Sequence, residues 1–133
     1  MAETDDTRAL TTVLVVEDDV LTRARYRRIL RSAGFEVLAA LNGVHALKLM
    51  EQRPLPDVIV LDLEVPGSGS LDLYDELRAQ ADGKPMPVVV VAYDELSPPE
   101  QARLPFFVHK PVVAEALVFA VDNALRRSLG TSR

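Results

Sequence analysis

The chain has 133 residues, of which 48% are hydrophobic and 26% are charged, and this size and composition are typical of one compact domain. It contains no cysteine, so disulfide scaffolds, thiolate metal sites and thiol nucleophiles are excluded. Its 15 basic and 20 acidic residues give a net charge of −5 at pH 7, which disfavours direct binding to nucleic acid. No apolar run approaches the roughly 20 residues that cross a bilayer, so the sequence predicts a soluble cytoplasmic protein with no membrane segment.

Short valine-rich segments alternate with longer segments of helical period, a pattern typical of βα units around a parallel sheet. Because crossovers between parallel strands are right-handed, successive helices should cover alternating faces of the sheet. The predicted fold is therefore a three-layer α/β sandwich with a doubly wound, five-stranded sheet. The predicted strands span residues 12–16, 35–39, 57–62, 87–92 and 106–108.

The first two helices are predicted from apolar stripes and from residues typical of helix ends. The first ends at Gly34, and its stripe consists of Thr22, Tyr26, Ile29, Leu30 and Ala33. Asn42 is suited to cap the second helix, which Pro54 and Pro56 close off. The apolar residues of that helix are Val44, Leu47, Leu49 and Met50.

The later helices are predicted over residues 70–80, after a loop that contains Pro66, Gly67 and Gly69, and over residues 113–128. Between them, Pro98 and Pro99 allow at most a short helix after them, so the fourth helix is predicted to be stunted or mobile. In the last helix Phe119 is predicted to face solvent. The residues predicted to face inward there are Leu117, Val121 and Ala124.

Acidic residues follow two predicted strands at their carboxyl ends, where ligands bind in open α/β sheets. Glu17 and Asp18 follow the first strand, and Asp62 ends the third. Carboxylates held close together repel one another unless a cation or a proton compensates, and oxygen ligands suit Mg²⁺. Lys110, after the fifth strand, supplies an ammonium for a phosphoryl oxygen or a carboxylate.

Each of these residues also has an interpretation without a ligand. Asp18 or Asp19 is suited to cap the first helix, and Asp62 is suited to form a turn after its strand. Lys110 would then be a solvated residue before a proline that starts the last helix. The occurrence of all of them at one end of a single sheet favours a functional site.

Three segments carry a resemblance to a known family: VLVVEDD at 13–19, DVIVLDLEVP at 57–66 and FVHKP at 107–111. In that order and in those strand contexts they resemble the receiver domain of two-component response regulators. The resemblance covers roughly residues 12–128, with a flexible segment over 1–11 and a tail over 129–133. It implies the flavodoxin-like strand order 2-1-3-4-5.

The resemblance also implies roles for individual residues. Asp62 would accept a phosphoryl group from a phosphohistidine, and Lys110 would contact that group. Pro111 would follow a cis peptide bond. The Mg²⁺ ligands would be the side chains of Glu17, Asp18 and Asp62 and the backbone carbonyl of Glu64. The domain would catalyse its own phosphorylation and dephosphorylation and would otherwise not be an enzyme.

The chain departs from the family pattern at the positions that report phosphorylation. Receivers usually carry Thr or Ser at the end of the fourth strand, where this chain has Ala92. The aromatic partner on the fifth strand is Phe107, which lacks a hydroxyl group. The expected function is a phosphoryl-accepting receiver, and one alternative is a degenerate receiver that acts as a phosphorylation-independent interaction module. The other is a small Mg²⁺-dependent phosphatase, because Asp62 and Glu64 stand two residues apart after a strand.

The resemblance implies a histidine kinase or a histidine phosphotransfer protein as phosphoryl donor and a downstream protein partner for output. An arginine cluster on the first helix is either a solvated face or part of the kinase docking surface. It consists of Arg23, Arg25, Arg27, Arg28 and Arg31. Formation of a homodimer is left open by the sequence.

Overall fold

The computed structural model describes residues 7–52, 54–65, 72–93 and 96–131. Its five strands form one parallel sheet in the order β2-β1-β3-β4-β5, as the resemblance implied. The strands are β1 (Thr12–Val16), β2 (Glu36–Ala40), β3 (Val58–Asp62), β4 (Val88–Ala92) and β5 (Phe106–His109). Every predicted strand is therefore present, with bounds that differ by at most one residue at either end.

The helices connect the strands in the predicted order. They are α1 (Val20–Ser32), α2 (Gly43–Met50), α3 (Asp72–Gln80), α4 (Pro98–Arg103) and α5 (Ala114–Thr131). Residues 70 and 71, predicted to begin the third helix, and the loop at 66–69 lie outside the described residues. No helix in the described ranges is both long enough and apolar enough to span a bilayer.

The core lies on both faces of the sheet, because alternate residues of a strand point to opposite sides. Strands β3 and β4 are buried at every position. One face packs against α1 and α5, where Tyr26, Leu30, Leu117 and Val121 are buried. The other face packs against residues of α2 and α3, among them Met50, Leu73 and Leu77. The three-layer sandwich is confirmed, and it places the carboxyl ends of all five strands along one edge.

The ends of α1 and α2 are as predicted, whereas the buried face of α2 and the start of α4 differ from the prediction. Asn42 caps α2 by accepting a hydrogen bond from the His45 backbone at 2.9 Å, and Gly34 follows α1 with a φ of 106°. Val44 was predicted to lie on the apolar stripe of α2, but it is 67% exposed, because Ala46 and Met50 form the buried face. The prolines at 98 and 99 do not precede α4 but form its first turn, where a missing N–H costs nothing.

The amino-terminal residues make contacts before the predicted domain boundary at residue 12. Residues 7–9 form a helical turn. The Arg8 guanidinium pairs with Asp122 of α5 at 2.5 Å and donates a hydrogen bond to the Ala33 carbonyl at 3.1 Å. It also lies 5.5 Å from the centre of the Phe35 ring. Helix α5 continues to Thr131, beyond the predicted end of the domain at residue 128.

Candidate functional site

The parallel register brings the ends of four strands together. Val16 of β1 lies beside Leu61 of β3, and the next residues along these strands are Glu17 and Asp62. On the other side Asp62 lies beside Val91 of β4. Ala92 at the end of β4 lies beside His109, which places Lys110 at the same edge of the sheet. The carboxylates and the ammonium predicted to form the site are therefore neighbours.

Asp62 is the fully buried acid at the centre of this edge, with an exposure of 0%. Its Oδ2 lies 2.6 Å from the Lys110 Nζ, and its Oδ1 accepts a hydrogen bond of 2.9 Å from the Glu64 backbone N–H. The peptide bond between Lys110 and Pro111 is cis, as the resemblance implied. Asp62 does form the turn of the alternative interpretation, because its carboxylate binds the backbone N–H two residues further on. It is nevertheless buried and bound to Lys110, so the turn does not account for all of its contacts, and Lys110 is not a solvated residue.

Glu17 is the second buried acid of the site. One oxygen, Oε2, accepts a hydrogen bond from the Asp19 backbone N–H at 2.9 Å. The other, Oε1, is buried without a hydrogen-bond partner among the described residues. Burial, followed by the neighbouring Asp62 carboxylate, raises the pKa of Glu17 to about 8. Glu17 and Asp62 are therefore two buried acids close enough for each to shift the pKa of the other.

Neighbouring groups shift the pKa values of Asp62 and Lys110 in opposite directions. Burial alone would raise the pKa of Asp62, but hydrogen bonds from Glu17, Lys110 and Glu64 hold it below its ordinary value. For Lys110, burial alone would lower the pKa, but the Asp62 and Glu64 carboxylates raise it overall. The two neighbouring acids thus differ: the pKa of Glu17 is raised, whereas the pKa of Asp62, which is bound to the Lys110 ammonium, is lowered.

The two adjacent acids after Glu17 have different contacts. Asp19 caps α1, since its Oδ2 accepts hydrogen bonds from the backbone N–H and the hydroxyl of Thr22 at 2.8 and 2.6 Å. The side chain of Asp18 is exposed. Arg23 holds the connecting loop by donating hydrogen bonds to the carbonyls of Glu17 at 3.0 Å and Asp18 at 3.4 Å. Of the two capping candidates, Asp19 is the cap, and Asp18 is left at the mouth of the site.

The buried carboxylates of this site are suitable ligands for a hard cation such as Mg²⁺, provided that exposed oxygen groups supply the remaining ligands. Glu17 and Asp62 supply two buried carboxylates and one unpartnered oxygen, Glu17 Oε1. Across the described residues, no three acidic or imidazole side chains converge into a ready-made metal cluster. The remaining ligands would come from Asp18 and from backbone carbonyls of the loop that follows β3.

Ala92 ends β4 and Phe107 lies on β5, and two contacts near these residues were not predicted. Ala92 is buried, and Phe107 is half-buried with its ring 6.1 Å from that of His109. The Tyr93 ring covers Lys110, with 4.8 Å from the ring centre to Nζ. Lys110 also pairs with the Glu64 carboxylate at 2.8 Å. No sequence spacing signals either contact, because both depend on side-chain directions at the ends of separate strands.

Comparison with known proteins identifies the family of this arrangement. Residues 13–122 match the model of the response regulator receiver domain. The chain belongs to this family. It is a receiver domain of the kind found in the response regulators of two-component systems.

Individual relatives agree with this assignment. The transcriptional regulatory protein PrrA of Mycobacterium bovis is 34% identical over 122 residues, which cover 90% of this chain and 52% of PrrA. A cyclic di-GMP phosphodiesterase of Thermotoga maritima is 34% identical over 118 residues, which cover 86% of this chain and 31% of that protein. The chain thus spans about half or less of the length of these relatives.

Among solved structures, the chemotaxis protein CheY4 of Vibrio cholerae is similar to this chain with a TM-score of 0.73 and 27% identity. The match covers 86% of this chain and 98% of CheY4. The fold predicted from the sequence is therefore shown both by the strand order and by comparison with an experimental receiver structure.

Proposed function

We propose that this receiver domain accepts a phosphoryl group from a phosphohistidine onto Asp62. The observation that carries the proposal is the fully buried Asp62 carboxylate, held 2.6 Å from the Lys110 ammonium beside the second buried acid, Glu17. Burying two acids with one ammonium lowers the stability of the fold, because charged groups lose their hydration. This cost indicates that the buried acids have a function. Membership of the receiver family supports the same role.

In this reaction an oxygen of the Asp62 carboxylate attacks the phosphorus atom of the donor. A P–O bond forms to Asp62, the P–N bond to the donor histidine breaks, and the imidazole leaves with the bonding electrons and takes up a proton. Negative charge grows on the transferring oxygens, and the Lys110 ammonium is placed to neutralise part of it. The product is an aspartyl phosphate.

The site also fits the Mg²⁺ that the family resemblance implies. Bound there, Mg²⁺ would neutralise the acids and the transferring oxygens so that an anionic donor can approach. The groups that would hold it are the carboxylates of Glu17, Asp18 and Asp62 and the backbone carbonyl of Glu64. The unpartnered buried oxygen of Glu17 supports this assignment.

The donor would be a histidine kinase or a histidine phosphotransfer protein that docks near the site. Helix α1 begins just after the acid loop, and it presents Arg27, Arg28 and Arg31 as exposed side chains. No ion pair to these three is found among the described residues. This surface suits an acidic partner, and we assign it to the donor, with output passing to a downstream protein.

One specific observation favours the alternative of a phosphorylation-independent interaction module. Ala92 is buried at the end of β4 and has no hydroxyl group that could bind a phosphoryl oxygen. Asp62, Glu17 and Lys110 are all present although Ala92 lacks the hydroxyl group. We therefore prefer the phosphoryl-accepting receiver to the interaction module. The two functions differ in whether Asp62 becomes phosphorylated at all.

The deciding experiment is incubation with acetyl phosphate and Mg²⁺, followed by intact mass measurement. The parent protein should gain one phosphoryl group only when Mg²⁺ is present, and Asp62→Asn should gain none. Asp82→Asn is the matched control: it makes the same chemical change at a residue with a φ of 52°, which asparagine tolerates, and should behave as the parent. A parent protein that gains no phosphate would favour the interaction module. Equal gain by Asp62→Asn would show that the acceptor lies elsewhere.

A further inference from the structure

The Lys110 ammonium is surrounded on three sides in the structure. It lies 2.6 Å from Asp62 Oδ2, 2.8 Å from Glu64 Oε1 and 4.8 Å from the centre of the Tyr93 ring. An ammonium group has three N–H donors. With two carboxylates and one aromatic face already in contact, an additional oxygen can reach Lys110 only if one of the three moves away.

The exposures of these groups show which contact yields most easily. The Asp62 side chain is 1% exposed and the Lys110 side chain is 11% exposed, whereas the Glu64 side chain is 44% exposed. The Glu64 backbone is tied to Asp62 through its N–H, so its side chain can turn to solvent while the backbone stays in place. Of the two carboxylates that bind Lys110, Glu64 is therefore the one that can leave without unfolding the site. The Tyr93 ring is 60% exposed, but it carries no negative charge that would compete with a phosphoryl oxygen.

We propose that the Glu64 carboxylate occupies the place beside Lys110 that an incoming phosphoryl oxygen requires, and that it thereby slows phosphoryl acceptance. This inference rests on the proposed function of Asp62. In the structure the Glu64 carboxylate accepts a hydrogen bond from the Lys110 ammonium, as a phosphoryl oxygen would. Acceptance then requires the Glu64 carboxylate to turn outward into water.

The charge on Glu64 makes this displacement necessary. A phosphoryl group carries negative charge on its oxygens, and the Glu64 carboxylate beside the same ammonium would repel it at close range. When Asp62 attacks acetyl phosphate, a P–O bond forms to Asp62 and acetate leaves with the electrons of the broken P–O bond. The charge that develops needs Lys110, and Glu64 competes for that contact until it moves.

The first test compares initial rates of phosphorylation by acetyl phosphate with Mg²⁺, followed by intact mass. Glu64→Gln removes the charge but keeps the shape of the side chain, and it should accept roughly two to five times faster, as expected from losing a partly exposed ion pair. Glu115→Gln is the matched control, because it removes one charge from an exposed residue in the first turn of α5 with no ion pair to Lys110. It should accept at the parental rate, and both variants should keep the parental unfolding midpoint.

A second test uses binding of beryllofluoride, a phosphoryl mimic, in the presence of Mg²⁺. Glu64→Gln should bind it about two to five times more tightly than the parent. The gain should disappear when Lys110→Gln is also present, because the effect acts through the Lys110 contact. A gain that persists without Lys110, or that Glu115→Gln reproduces, would point to general charge repulsion and overturn the inference.

The two proposals fail in different ways. If the parent accepts phosphate and Glu64→Gln is no faster, the competition by Glu64 is wrong while the function of Asp62 stands. If the parent accepts no phosphate but Glu64→Gln binds beryllofluoride more tightly, the function of Asp62 is wrong and the competition at Lys110 stands. If the parent neither accepts phosphate nor binds beryllofluoride, both are wrong.

Discussion

At the scale of single residues, the adjacent acids Asp18 and Asp19 should respond differently to substitution. Asp19→Ala removes the α1 cap and should lower the free energy of unfolding by about 0.5–2 kcal/mol. Asp18→Asn should leave stability in metal-free buffer unchanged or slightly raised, because the exposed Asp18 caps nothing and its negative charge lies near two other acids. Urea denaturation without metal and Mg²⁺ titration measure these effects, and only Asp18→Asn should weaken Mg²⁺ binding by losing a ligand. A large loss of stability in Asp18→Asn would show that Asp18 supports the fold.

Ala92 should limit how far phosphorylation changes the structure. A hydrogen bond to a charged group is worth about 1.5–3 kcal/mol, so its absence lowers a conformational preference by roughly tenfold or more. Amide exchange with and without beryllofluoride should therefore change only in the loops after β1 and β3. Ala92→Thr should extend the changes to Phe107 and α5, and the smaller Ala92→Ser controls for overpacking at this buried position. Large changes at Phe107 and α5 in the parent would contradict the expectation.

The part of the site that the sequence predicts is the part whose residues are positioned by the ends of strands alone. Asp62 and Lys110 follow apolar strands, so parallel pairing brings them to one edge whatever their side-chain rotamers are. The contact between Glu64 and Lys110 joins residues 46 positions apart and depends on the direction of two long side chains. The choice between Asp18 and Asp19 as cap depends on one backbone angle, the extended ψ of 124° at Asp19. Neither these side-chain directions nor this backbone angle can be predicted from residue spacing.

At the scale of elements, the short helix α4 should lose helicity in acid. Its capping box pairs Ser97 with Glu100: the Ser97 backbone N–H donates to Glu100 Oε1 at 2.9 Å, and this bond lowers the pKa of Glu100. A lowered folded-state pKa gives stability that is present above the unfolded pKa and lost as pH falls through the folded value. NMR shifts of residues 98–103 should therefore report fraying of α4 at a pH below the ordinary range of glutamate. Glu100→Gln keeps an acceptor at this position without a titrating proton, so fraying in that variant at the same pH would exclude Glu100 as the cause.

The fold was predictable where one physical signal determines an element. β1 was predicted with the bounds it has, since a buried parallel strand is a short apolar run ended by charged residues. In α2 one residue of the predicted stripe is wrong: the small Ala46 packs inward, while the larger Val44 lies in solvent. α4 has six residues and no buried ones, so no apolar stripe could reveal where it begins. It is instead tied to α3, where the Tyr74 hydroxyl donates to the Arg103 carbonyl at 3.1 Å.

At the scale of the whole molecule, Arg8 joins the start of the chain to its last helix. The Arg8 and Asp122 side chains are each 20% exposed, and the guanidinium also binds the Ala33 carbonyl. Arg8→Ala should lower the free energy of unfolding by about 1–2 kcal/mol, measured by urea denaturation. Arg8→Lys should recover only part of the loss, since an ammonium cannot bind Asp122 and the carbonyl in the same planar geometry. If Arg8→Ala and Asp122→Asn have effects that simply add, the two side chains do not stabilise each other.

The position of this ion pair in the chain also determines when it can form during synthesis. A ribosome releases Arg8 early and Asp122 only 114 residues later, a delay of roughly 6–23 seconds at ordinary rates of translation. Near the end of that interval, once His109 has been added, the nascent chain contains the residues of all five strands but still lacks the partner that holds its first turn. The contact between Arg8 and Asp122 therefore distinguishes a completed domain from an unfinished one.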